Sequence, residues 1–71
     1  MDPRNSYAYC LAGHELSTKE KFEQAHDYYE KAIRIDSKNV RAYWGLGNLN
    51  LKTEKYRKAV DYFKMAIKIN T

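Results

Sequence analysis

YAYCLAGHEL, Tyr7 to Leu16, is matched 34 positions later by RAYWGLGNLN, Arg41 to Asn50. Offsetting the whole chain by 34 residues aligns positions 1–37 with positions 35–71 without a gap, and 13 of these 37 pairs are identical. Agreement of this kind at one fixed spacing indicates that the chain consists of two copies of a single structural unit.

Each copy has the periodicity of amphipathic helices. Tyr9, Ala12, Gly13 and Leu16 fall at positions i, i+3, i+4 and i+7, and the second half of each copy has the same spacing. Asparagines at positions 5 and 39 precede the first helix of each copy, where their side chains can cap it. The pattern predicts four helices, at residues 6–17, 22–35, 40–51 and 56–69.

Residue size predicts how the helices pack. Gly13 and Gly47 lower helix propensity, so we expect them to permit close approach to alanines of the facing helix, with aromatic rings around the contact. Gly45 lies on another face, and we expect it to tolerate alanine. The predicted packing residues are Tyr9, Gly13, Ala25, Tyr29, Ala32, Tyr43, Gly47, Ala59, Phe63 and Ala66.

Composition restricts the class of protein. Seventy-one residues make at most one small domain, and a lone cysteine cannot form an intrachain disulfide. The formal net charge of +4 is spread along the chain rather than clustered, which is typical of a solvated helical surface. No apolar run is long enough for a membrane span. We expect an intracellular protein of the nucleus or cytoplasm, with no membrane partner.

Catalysis and metal binding have no support in the sequence. Cys10 and His14 lie one helical turn apart and could form a nucleophile–base pair, but the second copy has Trp44 and Asn48 at these positions. The other histidine, His26, is on a different helix without a further ligand at metal-binding spacing. We therefore predict a non-enzymatic protein with no catalytic residues, no metal site and no cofactor.

The combined spacing of aromatic, glycine and alanine positions, counted from Ser6 and from Val40, resembles the tetratricopeptide repeat over the whole chain. The resemblance implies an all-α fold of two stacked antiparallel helical hairpins. Pro3 stands where the family places the proline that closes a repeat, so the first residues resemble the end of a preceding repeat. The implied division is residues 1–5 for that tail, 6–39 for the first repeat and 40–71 for the second.

The sequence departs from the family pattern at several positions. Ala12 replaces the usual leucine, Ser37 replaces a closing proline, and Glu20 and Glu54 occupy a turn where glycine is commoner. These substitutions make the turns and ends less ideal without breaking the fold.

A narrower resemblance is carried by the runs YAYCLAGHE and RAYWGLGN. They are similar to repeats in the scaffold subunits of the anaphase-promoting complex (cyclosome), a ubiquitin ligase of the cell cycle. That resemblance implies a superhelical scaffold that dimerises and binds the C-terminal tails of other proteins.

The implied function is protein–protein interaction, with a peptide tail or a helix of another protein bound in a groove. In stacked hairpins the first helices line the concave side, and residues one position past the packing aromatic face it. Ser17 and Leu51 would continue the two rows of groove residues. The predicted groove residues are Tyr7, Cys10, His14, Arg41, Trp44 and Asn48.

Two further expectations concern partners. RNA binding is the alternative function, because related hairpin repeats bind RNA and because Lys52, Lys55, Arg57 and Lys58 form a basic patch; the strict 34-residue spacing and the aromatic groove favour protein over nucleic acid. Self-association is expected if apolar side chains such as Leu49 and Ile67 are exposed at the uncapped end of the second repeat.

Overall fold

A computed structural model describes residues 5–69, and the described chain is helical with no strands. The predicted all-α fold of two helical hairpins is confirmed. The four helices begin and end within one residue of the predicted bounds, and they are α1 (Ser6–Thr18), α2 (Phe22–Ile35), α3 (Val40–Lys52) and α4 (Tyr56–Ile69).

The predicted asparagine caps are present at α1 and α3. Asn5 is extended, and its side-chain oxygen accepts a hydrogen bond of 3.1 Å from the backbone N–H of Ala8. Asn39 repeats the geometry at α3, where it accepts a bond of 3.3 Å from Ala42 N–H. Each cap satisfies one of the amide groups that the first turn of a helix leaves unpaired.

In each hairpin, the first helix ends in a turn that contains one residue in the left-handed (αL) conformation. Glu20 N–H donates to the carbonyl of Ser17 at 3.0 Å, and Lys21 N–H donates to that of Leu16 at 2.9 Å, as in a Schellman motif. Glu20 has φ of 61°, and Glu54 has φ of 63° at the equivalent position. This left-handed conformation explains why the family commonly has glycine there, since a Cβ atom makes it unfavourable.

The two hairpins stack through α2 and α3. α1 packs against α2 and α3 against α4, while α3 also packs against α2 and contacts α1. A connected core of buried side chains runs through this stack. Its members are Cys10, Ala25, Tyr29, Ala32, Ala42, Leu46 and Leu49.

The predicted packing alanines and glycines are buried, but the space beside the glycines is filled differently from the prediction. A methyl group added at Gly13 would lie 3.1 Å from the ring of Tyr29, and one added at Gly47 would lie 2.7 Å from Cδ1 of Phe63. Aromatic rings of the facing helix, rather than its alanines, therefore occupy this space. Tyr9 and Phe63 are only half-buried.

The expectation that Gly45 would tolerate alanine is wrong. A methyl group there would overlap Cε1 and Cζ of Tyr29 and lie 2.8 Å from its hydroxyl oxygen. Tyr29 belongs to the first repeat and Gly45 to the second, so this contact depends on how the two hairpins stack. A pattern within one helix cannot reveal it.

The expected exposure at the end of the second repeat is partly wrong. Leu49 is only 3% exposed and belongs to the core, because it faces back towards α2. Ile67 is 57% exposed.

The predicted division of the chain begins outside the described residues, since residues 1–4, including Pro3, are not described. Within the described chain, α1 begins where the first repeat was predicted to begin, and α3 begins where the second was. None of the described helices combines the length and the apolar character that a membrane span requires.

Candidate functional site

An open groove of about 450 Å³ runs between α1 and α3. The first helices of the two hairpins supply its sides, and one ring from α2 reaches it through the gap between them. The lining residues are Tyr7, Cys10, Leu11, His14, Ser17, Tyr29, Arg41, Trp44, Gly45, Asn48 and Lys52.

All six residues predicted for a groove lie on this one surface. His14, Arg41 and Asn48 are exposed, and Tyr7 and Trp44 keep 48% and 43% of their surface accessible. Trp44 is held in place on one side by Phe63, whose ring centroid is 4.9 Å from that of the indole. An aromatic ring supported in this way presents a firm apolar surface to solvent.

Cys10 lines the groove from below rather than projecting into it. It is only 5% exposed and belongs to the core. Cys10 therefore lies at the groove, as expected, but its side chain is buried beneath the surface. Burial raises the pKa of the thiol, although a hydrogen bond from Asn39 and the charge of Arg41 partly oppose the rise. The neutral thiol therefore persists, which is the opposite of what an activated nucleophile needs.

The buried cysteine belongs to a polar cluster that joins three helices. The Asn39 amide donates to Sγ of Cys10 at 3.3 Å and also to the hydroxyl of Ser6. That hydroxyl donates in turn to the carbonyl of Ala32 at 2.9 Å. One side chain at the start of α3 is thus bonded to α1 directly and linked to α2 through Ser6.

The groove is basic. The guanidinium of Arg41 lies over the ring of Tyr7, 5.0 Å from its centroid, and His14 and Lys52 also line the surface. Among the described lining residues none carries a carboxylate. Burial, as the main cause, raises the pKa of Tyr29 to about 12, so its phenol stays neutral at this surface.

The prediction omitted Leu11, Gly45, Tyr29 and Lys52. Leu11, Gly45 and Lys52 could have been found from the sequence. A row on a helix of 3.6 residues per turn, counted from Tyr7 or Arg41, includes positions i+4 and i+11 as well as i+3 and i+7. Lys52 is about 20° from Arg41 around α3, whereas Leu51 is about 80° away. The structure accordingly places Lys52 in the groove and Leu51 outside it, while Ser17 lines the groove as a buried residue. Tyr29 reaches the groove from another helix, and no pattern within α3 could identify it.

The basic patch proposed for RNA is divided. Lys52 lines the groove, whereas Lys55 and Lys58 line a separate depression beside α2, together with Glu23 and Asp27. Two carboxylates therefore lie among the basic side chains on that surface. Of these basic residues, Lys52 therefore lies apart from Lys55 and Lys58.

Comparison with known protein families agrees with the fold of two helical hairpins. A family described as "TPR repeat" matches residues 13–54, more than half of the chain, and one described as "Tetratricopeptide repeat" matches residues 40–71. The chain belongs to the tetratricopeptide repeat family. These repeats are protein–protein interaction modules and are typically non-enzymatic.

Two curated fungal proteins are similar to this tetratricopeptide chain. Anaphase-promoting complex subunit 3 of Schizosaccharomyces pombe is 40% identical over 45 residues, which is 63% of this chain and 7% of that protein. Protein bimA of Emericella nidulans is 37% identical over 45 residues, again 63% of this chain and 6% of that protein. The chain therefore spans less than a tenth of the length of either relative.

Across residues 5–69, histidine, cysteine and carboxylate side chains form no group of three that could share an ion. His26 instead lies 3.5 Å from the carboxylate of Glu30, one turn along α2.

Proposed function

We propose that the groove between α1 and α3 binds an extended peptide segment or a helix of another protein. The observation that carries the proposal is the half-exposed indole of Trp44, supported from behind by Phe63 and flanked by Arg41 and Asn48. Tryptophan and arginine side chains dominate the binding energy of protein interfaces because they offer a large contact area at little entropic cost. The side-chain amide of Asn48 would bond to the backbone of the bound segment.

The charge of the groove favours an acidic ligand. Arg41, Lys52 and, when protonated, His14 attract carboxylates, and the described lining supplies no carboxylate to oppose them. An apolar side chain of the ligand would lie against Trp44, and a neighbouring carboxylate would meet Arg41. A groove supplied by two repeats offers few anchors, so we expect affinity in the micromolar range or weaker.

The similarity to anaphase-promoting complex subunit 3 supports a narrower proposal. The chain would serve as a repeat segment of a scaffold within that type of ubiquitin ligase, working in the nucleus or cytoplasm. The similarity over 45 residues supports the assignment as a scaffold repeat. That the scaffold belongs to a ubiquitin ligase is part of the same proposal.

The test begins with capture of partners by the 71-residue chain, followed by calorimetric titration of the peptide so identified. Trp44→Ala is expected to weaken binding about tenfold or more, the loss typical of a hot-spot aromatic. Because the indole packs on Phe63 and is only half-buried, the melting temperature should fall only slightly. Binding of the Trp44→Ala variant as tight as that of the parent would refute the groove assignment.

Two control variants separate binding from folding. Met65 is also 43% exposed but lies on α4 outside the groove, so Met65→Ala should bind like the parent. Tyr43 is 7% exposed, and its hydroxyl donates to the carbonyl of Ser37 at 3.2 Å. Tyr43→Ala should therefore lower the melting temperature strongly, because a buried aromatic side chain typically contributes several kcal/mol to the free energy of unfolding.

The salt dependence of the binding constant distinguishes RNA binding from peptide binding. If the basic residues contact phosphates, the logarithm of the binding constant for a single-stranded RNA falls steeply and linearly with the logarithm of salt concentration. We expect no such binding near physiological salt. Tight, salt-sensitive RNA binding that Trp44→Ala leaves unchanged would replace the peptide proposal.

A further inference from the structure

The groove changes character along its length. Near the beginnings of α1 and α3 its lining is apolar and aromatic, from Tyr7, Leu11 and Trp44, with Arg41 beside Tyr7 as the charged member. Near the ends of the same two helices the lining consists of polar side chains that can donate hydrogen bonds. We name this second part the donor end, and its residues are His14, Ser17, Asn48 and Lys52.

Helical geometry brings the four donors onto one surface. His14 and Ser17 are three residues apart on α1, so they lie on the same side of that helix. Asn48 and Lys52 are four residues apart on α3, and they share a side in the same way. The donor end therefore combines a hydroxyl, an amide, an ammonium group and an imidazole, which supplies an N–H in either protonation state.

The four side chains are unpaired, and for one of them this is unusual. Within residues 5–69 none of the four makes a side-chain hydrogen bond or an ion pair with another residue. His14, Asn48 and Lys52 are exposed to water, whereas Ser17 is only 7% exposed. A hydroxyl that is nearly buried without a partner is unfavourable for folding.

The hydroxyl of Ser17 opens onto the groove. No fully enclosed polar side-chain atom of the described residues lacks a partner, so this unpaired oxygen keeps part of the small exposed surface of Ser17. That surface belongs to the groove, which Ser17 lines. A ligand in the groove would therefore find a fixed hydrogen-bond donor that the chain itself does not use.

Charge makes the donor end suitable for an anion. Lys52 supplies a positive charge, and no carboxylate lines the groove in the described chain. Glu15, next to His14 in the sequence, lies 3.6 Å from Lys19 and lines a different depression. Glu20 and Glu54, in the turns that follow the two helices, do not line the groove either.

The helix ends oppose an anion only weakly. The last carbonyls of a helix carry partial negative charge, and the effect falls off within one turn. In α1 the carbonyls of Ser17 and Leu16 already accept hydrogen bonds from the turn, at 3.0 and 2.9 Å. In α3 the last turn contains Lys52, a cation at the place where it offsets that charge. The side-chain donors therefore decide which ligand group the donor end prefers.

Trp44 sets the distance from the apolar anchor to the donor end. Asn48 and Lys52 follow Trp44 by four and eight residues, which places them about 6 and 12 Å further along α3. An extended segment advances about 3.3 Å per residue, so three residues cover the roughly 9 Å to the middle of the donor end. A helical ligand would need about six or seven residues for the same distance.

Asn48 favours an extended ligand over a helical one. Its exposed side-chain amide lies one turn beyond Trp44 and has no partner among the described residues. An extended backbone has free N–H and C=O groups that such an amide can bond to, whereas a helix uses nearly all of its own internally.

We propose that the donor end binds a side-chain oxyanion of an extended ligand, a carboxylate or a phosphate monoester, three residues from the apolar side chain that contacts Trp44. The inference rests on the proposed function, because it assigns a second subsite to the same groove. Lys52 supplies the opposite charge, and the hydroxyl of Ser17 donates to one oxygen of the anion. The carboxylate that meets Arg41 lies on the other side of the apolar anchor.

The test uses acetylated and amidated peptides titrated into the 71-residue chain and followed by NMR. Each peptide has an aspartate next to a leucine in a glycine–serine background, and a test residue on the other side of the leucine, in both chain directions. The test residue is glutamate, phosphoserine or uncharged glutamine, at spacings of two to seven; alanine replaces glycine at six and seven so that a helix can form.

We expect a preference for charge at one spacing. At a spacing of three, in one chain direction, glutamate or phosphoserine should bind about fivefold or more tightly than glutamine, because the hydrogen bonds become charge-assisted. At six and seven the charge should bring no gain. The tighter of the two charged peptides identifies the source of the oxyanion.

Two variants test the named side chains. Ser17→Ala and Lys52→Gln should each reduce the ratio of charged to glutamine affinity about threefold or more and leave the glutamine peptide unchanged. Ser17→Ala should not lower the melting temperature, since its hydroxyl has no partner to lose. The controls are Thr18→Ala, whose hydroxyl donates to the Glu15 carbonyl at 2.7 Å outside the groove, and Lys64→Gln on α4. Both should keep the ratio of the parent.

Three outcomes would overturn the subsite. One is equal binding of charged and glutamine peptides, or a preference that Ser17→Ala and Lys52→Gln leave intact. Another is a preference at a spacing of seven instead of three, which would show a helical ligand. The third is no binding of any peptide up to about 5 mM, the weak limit of a useful contact.

Failure of the groove itself gives a different result. The glutamine peptide lacks the oxyanion, so its loss of affinity on Trp44→Ala reports the anchor alone. If the preference for charge is absent but this loss is seen, only the subsite is wrong. If Trp44→Ala changes the binding of no peptide, including that of the captured partner, the proposed function is wrong.

Discussion

At the scale of single residues, the stack depends on how closely one aromatic ring is confined. The Cε1–Cζ edge of Tyr29 is approached by Gly13 of its own repeat and by Gly45 of the next. Tyr29 is 4% exposed, so its ring has little room to move away from either contact. Glycine at both positions lowers helix propensity, and the tertiary contact explains why it is nevertheless suitable there.

The two glycines should respond differently to alanine. Gly45→Ala gains about 1 kcal/mol of helix propensity but forces the ring of Tyr29 to shift, and overpacking of this kind typically costs about 1–3 kcal/mol. We expect a net loss of stability in urea denaturation followed by circular dichroism.

Gly13→Ala is the matched control. Its added methyl group would lie 3.1 Å from the same ring, a tight contact without overlap, so its cost should be clearly smaller. Equal stability changes at the two positions would mean that the hairpins stack differently from the structure.

At the scale of the elements, each hairpin contains a glutamate in a conformation that suits glycine. Glu20 and Glu54 have φ near 60° in turns that are otherwise fully hydrogen-bonded. Backbone hydrogen bonds and helix packing therefore hold the residue there against the steric repulsion of its Cβ atom. The strain occurs in both copies because the 34-residue repeat places the same turn in both.

Glu20→Gly should stabilise the chain by roughly 0.5–1 kcal/mol, since relief of the αL cost outweighs the extra freedom of glycine in the unfolded state. Thermal and urea unfolding of the variant provide the measurement. Glu20→Ala is the control, because it removes the same carboxylate but keeps the Cβ atom. A gain of the same size from alanine would attribute the effect to charge, and the backbone argument would fail.

At the scale of the whole molecule, the polar cluster around Asn39 couples the repeats. The same asparagine caps α3 and donates to Cys10 and Ser6, whereas Asn5, its repeat equivalent, caps α1 at an exposed site. Both side chains make the local cap, but only Asn39 also connects α3 to the first hairpin.

Asn5 and Asn39 occupy equivalent positions in the two repeats, so their substitutions can be compared directly. Asn5→Ala should cost about 1 kcal/mol, the usual value of a helix cap. Asn39→Ala should cost about 1–3 kcal/mol more, because Ser6 and Cys10 lose a partner in a half-buried cluster. Urea midpoints of the two variants provide the test, and equal losses would show that the cluster contributes nothing beyond the cap.

Local order along the chain was predictable from the residues alone: the helices and their asparagine caps follow from the 3.6-residue period and the 34-residue spacing, which are properties of contiguous residues. Which row of α1 and α3 faces a groove was implied by the resemblance to the tetratricopeptide repeat. The burial of Cys10 and Leu49, the ring beside Gly45 and the contribution of Tyr29 to the groove follow from how α3 lies against α1 and α2. These contacts join residues some 16 to 29 positions apart. A periodic pattern specifies which face of a helix is apolar, but close packing between helices decides which side chain fills each space.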